Sequence, residues 1–313
     1  MNKKFLLPGI LSLIMASSVL TFSLPIWKDN VKEEDKMTDW MAGFNDTTTL
    51  ASLSIPGSHD SGARYSLLDL SGRCQDLSIA SQLDIGVRYL DIRLYLTDSY
   101  KFQVIHGPVN QRLSFASVVN TCIKFLDDHP SETLLISVKE EKENKKIKEA
   151  GITSFDAELK KALSDEHFIT STNMLDSALL GQTRGKAILF SRYEASTIGI
   201  NCYDGWEDPS SADSPNSFTM SNNIFVQDHY KISDMDAYKE EIIAGLDHVS
   251  LSYKFNFISG YKVSSFPPSY SYSVTNEINP WIIKTVEGKT NLGVVIADSV
   301  TSEFTKAIIG GNA

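Results

Sequence analysis

The chain has little cysteine and too little positive charge to balance its acids. Cys74, Cys122 and Cys202 are the only cysteines in 313 residues. Their odd number and wide spacing encode neither a disulfide framework nor a cysteine-based zinc site, and each reads as a small buried apolar residue. Lysine and arginine number 29 against 39 aspartates and glutamates, a formal charge of −10, which opposes attachment to nucleic acid or to strongly anionic membranes by bulk electrostatics. Any membrane contact is therefore expected to be largely apolar. Also missing are a Gly-x-Ser-x-Gly elbow, a His-Glu-x-x-His pair, a phosphate loop ending in Gly-Lys-Ser/Thr and a Gly-x-Gly-x-x-Gly turn. Serine hydrolysis, zinc proteolysis and nucleotide binding lose their usual support with them.

Long apolar runs are confined to the start of the chain. Lys3 and Lys4 precede an apolar stretch from Phe5 to Leu24, and polar sequence resumes at Lys28. This pattern reads as an export signal or, uncleaved, as a membrane anchor. The expectation is a leader over 1–25, a single catalytic domain over 26–313, and a secreted or extracellular protein, held at the cell envelope if the leader stays.

What is present is a set of six short apolar runs, each ending on a charged or titratable residue. They are Leu53 to Asp60 (containing His59), Val87 to Arg93 (containing Asp91), Val104 to His106, Leu134 to Lys139, Ile188 to Arg192, and Val294 to Asp298. A buried strand favours aliphatic residues throughout, so a recurring polar residue at one end answers a need at that end. In a barrel of parallel strands all carboxyl ends meet on one face, where side chains distant in sequence converge. Two histidines, two arginines, a lysine and several aspartates would converge here, a set suited to handling a phosphate by acid–base chemistry. Helical spacing over Leu113 to Leu126 and a second helix around Phe155 to Leu163 alternate with these runs. The Ser/Asp/Pro-rich stretch between Asn201 and Asn223 reads as a long surface loop.

Ile55-Pro56-Gly57-Ser58-His59-Asp60-Ser61-Gly62, Arg88-Tyr89-Leu90-Asp91-Ile92-Arg93, Ile105-His106-Gly107-Pro108 and Pro130-Ser131-Glu132-Thr133 resemble bacterial phosphatidylinositol-specific phospholipase C. The likeness continues through Ser191-Arg192-Tyr193, Val226 to Lys231 and Ile296-Ala297-Asp298, in the same order over roughly residues 38 to 310. The resemblance implies an α/β fold, a distorted and incompletely closed (β/α)8 TIM-type barrel. It also implies cleavage of phosphatidylinositol to diacylglycerol and inositol 1,2-cyclic phosphate. His59 would be the general base toward the inositol 2-hydroxyl, with Asp298 orienting it. His106 would be the general acid toward the departing diacylglycerol oxygen, with Asp60 as its partner, and Asp91 would join the phosphate side.

In the related calcium-dependent enzymes an acidic ligand is thought to stand where Arg93 stands here, with an asparagine in place of Asp60. A guanidinium neutralises phosphate charge with fixed forked donors, so no metal or other cofactor is expected. Lys139, Arg192, Asp228 and Tyr230 would bind the inositol head group, the tyrosine against the flatter face of the ring. Phe266, Tyr270 and Tyr272, with Leu67 and Leu68 as a second point, would touch the membrane interface. The expected partner is phosphatidylinositol in membranes, met peripherally by a monomer. Glycosylphosphatidylinositol (GPI)-anchored proteins would be additional substrates, and nucleic acid is not a partner. Two rivals remain at this stage: a metal-dependent glycerophosphodiester phosphodiesterase on a similar barrel, and a non-catalytic lipid-binding module.

Overall fold

The computed structural model describes residue 29 and residues 31–66, 72–173, 178–250, 252–266, 268 and 270–312. The expected leader, Leu67 and Leu68 lie outside the described residues. From the amino end come β1 (Ile55–Ser58), α1 (Ile79–Asp84), β2 (Tyr89–Leu96), β3 (Phe102–His106), β4 (Val109–Ser114) and α2 (Phe115–Asp128). The middle holds β5 (Thr133–Lys142), α3 (Lys145–Ala150), α4 (Phe155–Ala162), β6 (Phe168–Ile169), α5 (Leu180–Thr183), β7 (Lys186–Arg192), β8 (Ile200–Asn201) and β9 (Ser217–Thr219). Then follow β10 (Phe225–Gln227), β11 (Lys231–Ile232), α6 (Met235–Asp247), β12 (Lys254–Phe257), β13 (Tyr261–Lys262), α7 (Tyr272–Thr285), β14 (Val294–Ala297) and α8 (Ser302–Gly310).

The main sheet runs β6-β7-β5-β2-β1-β14-β12-β10-β9. Every pairing from β6 to β10 is parallel, and β9 adds antiparallel to β10. The sheet curls without closing, because among the described residues no ladder joins the β6–β8 side to β9 and β10. Asn222 Nδ2 reaches across that opening to the carbonyl of Asn201 at 2.8 Å. The fold is thus the open, distorted TIM-type barrel the motifs implied.

Strand side chains alternate between the two faces of the sheet, and the alternation separates two cores. Ile55, Tyr89, Leu135, Ile188, Phe190, Phe255, Val294 and Ile296 fill the inside of the curl. Leu90, Ile92, Ile136, Val138, Leu189 and Val295 face outward under the helices. The helix α2 shows why the outer layer forms. Ser114 caps it by accepting from the Ser117 amide, and Phe115, Val118, Val119, Cys122, Phe125 and Leu126 bury one stripe at three- and four-residue spacing. The helix runs through Asp127 and Asp128, two residues past the expected end.

Two motif residues serve the fold at the opposite end of the barrel. Arg88 and Glu132 are fully buried and paired at 2.8 Å. Arg88 also donates to the carbonyls of Leu83, Val87, Met37 and Thr38, while Glu132 accepts from the Met41 amide and the Ser131 hydroxyl. Such a pair stitches the segment before β1 to β2 and β5.

Two expectations about strand ends need correction. Arg93 and Lys139 do not terminate their strands: β2 continues to Leu96 and β5 to Lys142, because the β3–β4 arm extends β2 and keeps its backbone paired. His106 does not sit on a barrel strand either. It ends β3, which pairs antiparallel with β2 as one side of a hairpin.

Candidate active site

The inward parity that fills the barrel core with apolar side chains carries on to the carboxyl ends with polar ones. On β2 it reads Tyr89, Asp91, Arg93; on β5, Leu135, Ser137, Lys139, Glu141; on β7, Ile188, Phe190, Arg192. Past β1 it delivers His59, past β14 Asp298 and past β10 Asp228. His59, Arg93, His106, Lys139, Arg192, Asp228, Tyr230 and Asp298 line one cleft of about 310 Å³. Asp60 and Asp91 lie buried directly behind it.

His59 is held at both ring nitrogens. Its Nδ1 donates to Asp298 Oδ1 at 2.8 Å, and its Nε2 accepts from Arg93 Nη2 at 2.7 Å. With this tautomer the lone pair is on Nε2, on the side that faces the cleft. Burial disfavours the imidazolium, but the Asp298 carboxylate outweighs burial and the neighbouring Arg93, so the His59 pKa lies above its ordinary value.

Arg93 is the hub of the site. It donates to Asp91 Oδ2 at 3.2 Å and lies 3.6 Å from Asp60 and 3.8 Å from Glu141. Burial alone would disfavour its charge, yet Asp91, Asp60 and Glu141 hold it firmly cationic. Asp91 in turn is held well below the usual carboxylate range. Burial opposes its ionisation, but Arg93, Arg192 and the Asp60 amide at 3.1 Å outweigh it.

His106 Nδ1 donates to the Gly72 carbonyl at 2.9 Å, which turns Nε2 toward Asp60 Oδ2 at 3.6 Å. Asp60 adopts a left-handed backbone with φ of 40° that directs its side chain behind the cleft. Neither of its carboxylate oxygens has a hydrogen-bond partner among the described residues, and burial raises its pKa.

At the far side of the cleft Arg192 stacks on Trp206, with Cζ 3.6 Å from the ring centre. It also lies 3.5 Å from Asp91 and 3.8 Å from Asp228. Trp206 Nε1 donates to Asp228 Oδ2 at 2.9 Å. Burial, reinforced by Arg93 and Arg192, lowers the Lys139 pKa. Tyr230 is pushed up to about 12 by burial and by Asp208 and Asp228, which keeps its hydroxyl protonated as a donor. His229 points away and donates to Glu241 at 2.7 Å, as alternation along the segment requires.

Sequence reasoning missed Glu141, Trp206 and Cys74. Glu141 was findable, being two residues beyond Lys139 on the same strand face; it accepts from the Gly107 amide at 2.9 Å and so ties the His106 turn to Lys139 and Arg93. Trp206 sits in the polar stretch read as a surface loop, which in fact contributes a wall of the cleft. Cys74 is buried as expected but faces the site, 3.9 Å from His106 Nδ1. Its sulfur, with His59 and Asp298 or with His106 and Asp60, forms two groups of potential metal ligands. Burial and the carboxylates of Asp298 and Asp60 raise the thiol pKa strongly.

Around the rim, Phe266 is 93% exposed. Tyr270 and Tyr272 differ from a fully exposed loop. Tyr272 begins α7 with its hydroxyl on Asp76 at 2.7 Å, and Tyr270 packs on it at 5.6 Å, so both are tied down behind the exposed Phe266. Among the described residues no helix is long and apolar enough to cross a membrane.

An open α/β barrel that gathers two histidine–carboxylate pairs around a central arginine carries the groups that acid–base cleavage of a phosphodiester requires. The family model for phosphatidylinositol-specific phospholipase C, X domain, matches residues 53–193, the segment that carries β1 through β7. Curated relatives of the chain include 1-phosphatidylinositol phosphodiesterase of Listeria monocytogenes, 26% identical over 93% of this chain and 90% of that protein. The protein of the same name from Staphylococcus aureus is 27% identical over 90% of each. A double mutant of the S. aureus phosphatidylinositol-specific phospholipase C superposes with a TM-score of 0.73 at 25% identity, covering 88% of this chain and 97% of that one. The L. monocytogenes enzyme shares the fold at a TM-score of 0.70 and 23% identity, over 89% and 99% of the two chains.

Proposed function

We propose that this chain is a phosphatidylinositol diacylglycerol-lyase that needs no metal. The observation that carries this reading is one cleft in which Arg93 contacts His59 directly and reaches toward His106 through Asp60. In the reaction the inositol 2-hydroxyl oxygen attacks phosphorus and its proton passes to His59 Nε2. The bond from phosphorus to the glycerol oxygen breaks, and that oxygen takes a proton from His106. Asp298 holds the tautomer of His59 and stabilises its cation. Asp60, a carboxyl whose burial favours its protonated form, keeps the transferable proton within the His106 pair. Arg93 exchanges its resting contacts for the phosphate oxygens and supplies the positive charge a metal would otherwise bring.

Lys139, Arg192, Asp228 and Tyr230 present donors and acceptors to the inositol hydroxyls, with Arg192 braced by Trp206. Phe266 provides an apolar contact with the bilayer that a net negative chain can use without electrostatic attraction. GPI anchors with a free 2-hydroxyl are further substrates in this reading, and the amino-terminal segment exports the protein. His59→Ala and His106→Ala should each lower turnover of phosphatidylinositol by about 100- to 10,000-fold. Both variants should still sediment with phosphatidylinositol vesicles. Full activity in either variant would refute the assignment.

A further inference from the structure

Cys74 plays no part in the proton transfers, yet it stands where both histidine pairs meet. Its backbone is pinned from two sides, the amide donating to the Ala63 carbonyl at 2.8 Å and the carbonyl accepting from the Ser299 amide at 2.7 Å. Cys74 is also buried, so its sulfur stays inside the cleft rather than out in solvent. In the group Asp60, Cys74 and His106, the three potential ligand atoms all lie within 4.8 Å of one another. Tetrahedral zinc, with bonds of about 2.3 Å to sulfur and about 2.1 Å to nitrogen, places its ligand atoms roughly 3.5 Å apart. Closing the remaining gap takes side-chain adjustments of about 1 Å. Asp60 has unspent capacity for such an ion, since it is fully buried and neither oxygen has a hydrogen-bond partner among the described residues.

We propose that the catalytic cleft is also an inhibitory site for a thiophilic divalent cation of the zinc class, held by Cys74, His106 and Asp60. The chemistry of the donors selects the ion. A sulfur, an imidazole and one carboxylate suit zinc or cadmium, whereas calcium and magnesium require shells of oxygen. Binding releases the thiol proton and one proton of the His106–Asp60 pair to solvent, and the proton that remains sits on the ring nitrogen that does not ligate. The bound ion then occupies the imidazole and carboxylate that would protonate the leaving oxygen. Inhibition follows without any metal taking part in the reaction. The functional half of this proposal rests on the lyase reading above; the binding half does not.

The test separates the two. Cadmium titrated into the purified protein should produce the ultraviolet thiolate-to-metal charge-transfer band with one ion bound. Cys74→Ser should abolish that band, and Cys122→Ser and Cys202→Ser should leave it intact. In parallel, zinc should inhibit phosphatidylinositol cleavage, and Cys74→Ser should raise the half-inhibitory zinc concentration at least tenfold relative to that variant's own metal-free rate. Calcium and magnesium should do neither. A cadmium band that survives in Cys74→Ser, or equal zinc sensitivity in that variant and the parent, would overturn the proposal. Absence of phosphatidylinositol cleavage in the parent protein would overturn the lyase reading and the inhibitory role, while the cadmium band would still decide the site.

Discussion

The tautomer of His59 gives the residue scale its sharpest consequence. A general base must be neutral to accept a proton, and Asp298 raises the pKa at which His59 loses its charge. Activity should fall as pH drops through that raised value. In Asp298→Asn the carboxylate's contribution disappears while burial and Arg93 continue to disfavour the cation. The acid limb of kcat/KM should therefore move to lower pH, together with a fall in the plateau rate; a limb that stays in place would show that Asp298 does not set the base. Arg93→Lys keeps the charge but loses the fork that spans Asp91 and the phosphate side. A drop of about 100- to 1,000-fold in kcat with a smaller change in KM is expected from steady-state kinetics.

At the scale of elements, Glu132 shows how a motif can belong to the fold rather than the chemistry. Pro130-Ser131-Glu132-Thr133 could be matched in the sequence but not assigned a job there, because its partner Arg88 is 44 residues away. Glu132→Gln leaves the Arg88 guanidinium buried without a counter-charge and should destabilise the protein by about 3–5 kcal/mol in urea unfolding. Loss of less than about 1 kcal/mol would show that the pair is not what holds this end together.

Much of the site was legible because strand parity is a local rule. Once Tyr89, Asp91 and Arg93 share a face, so do Lys139 and Glu141, and their apolar neighbours mark the other face. The hairpin that carries His106 was not legible, since an apolar run ending in a histidine looks the same whether its neighbour runs parallel or antiparallel. Nor was Trp206, an aromatic inside a polar stretch whose packing on Arg192 is purely tertiary. Cys74 gave no signal at all. Its importance comes from two histidines 15 and 32 residues away that only folding brings near it.

For the molecule as a whole, the proposed reading assigns the exposed Phe266 to the contact with the bilayer. With a formal charge of −10, attraction to the surface must come from apolar contact. Phe266→Ser should lower partitioning onto phosphatidylinositol-containing vesicles by about tenfold, from the apolar area it no longer buries. Partitioning of the parent protein should change little with added salt; strong weakening by salt would mean that the contact is electrostatic.

The central claim is that the substrate's own hydroxyl attacks phosphorus while two imidazoles move the protons and Arg93 supplies the charge. Phosphorus NMR of the purified protein with phosphatidylinositol, with and without EDTA, tests it most directly. The account predicts an inositol 1,2-cyclic phosphate resonance that accumulates at the same rate under both conditions. Formation of inositol 1-phosphate without the cyclic intermediate, or loss of the signal on chelation, would contradict it.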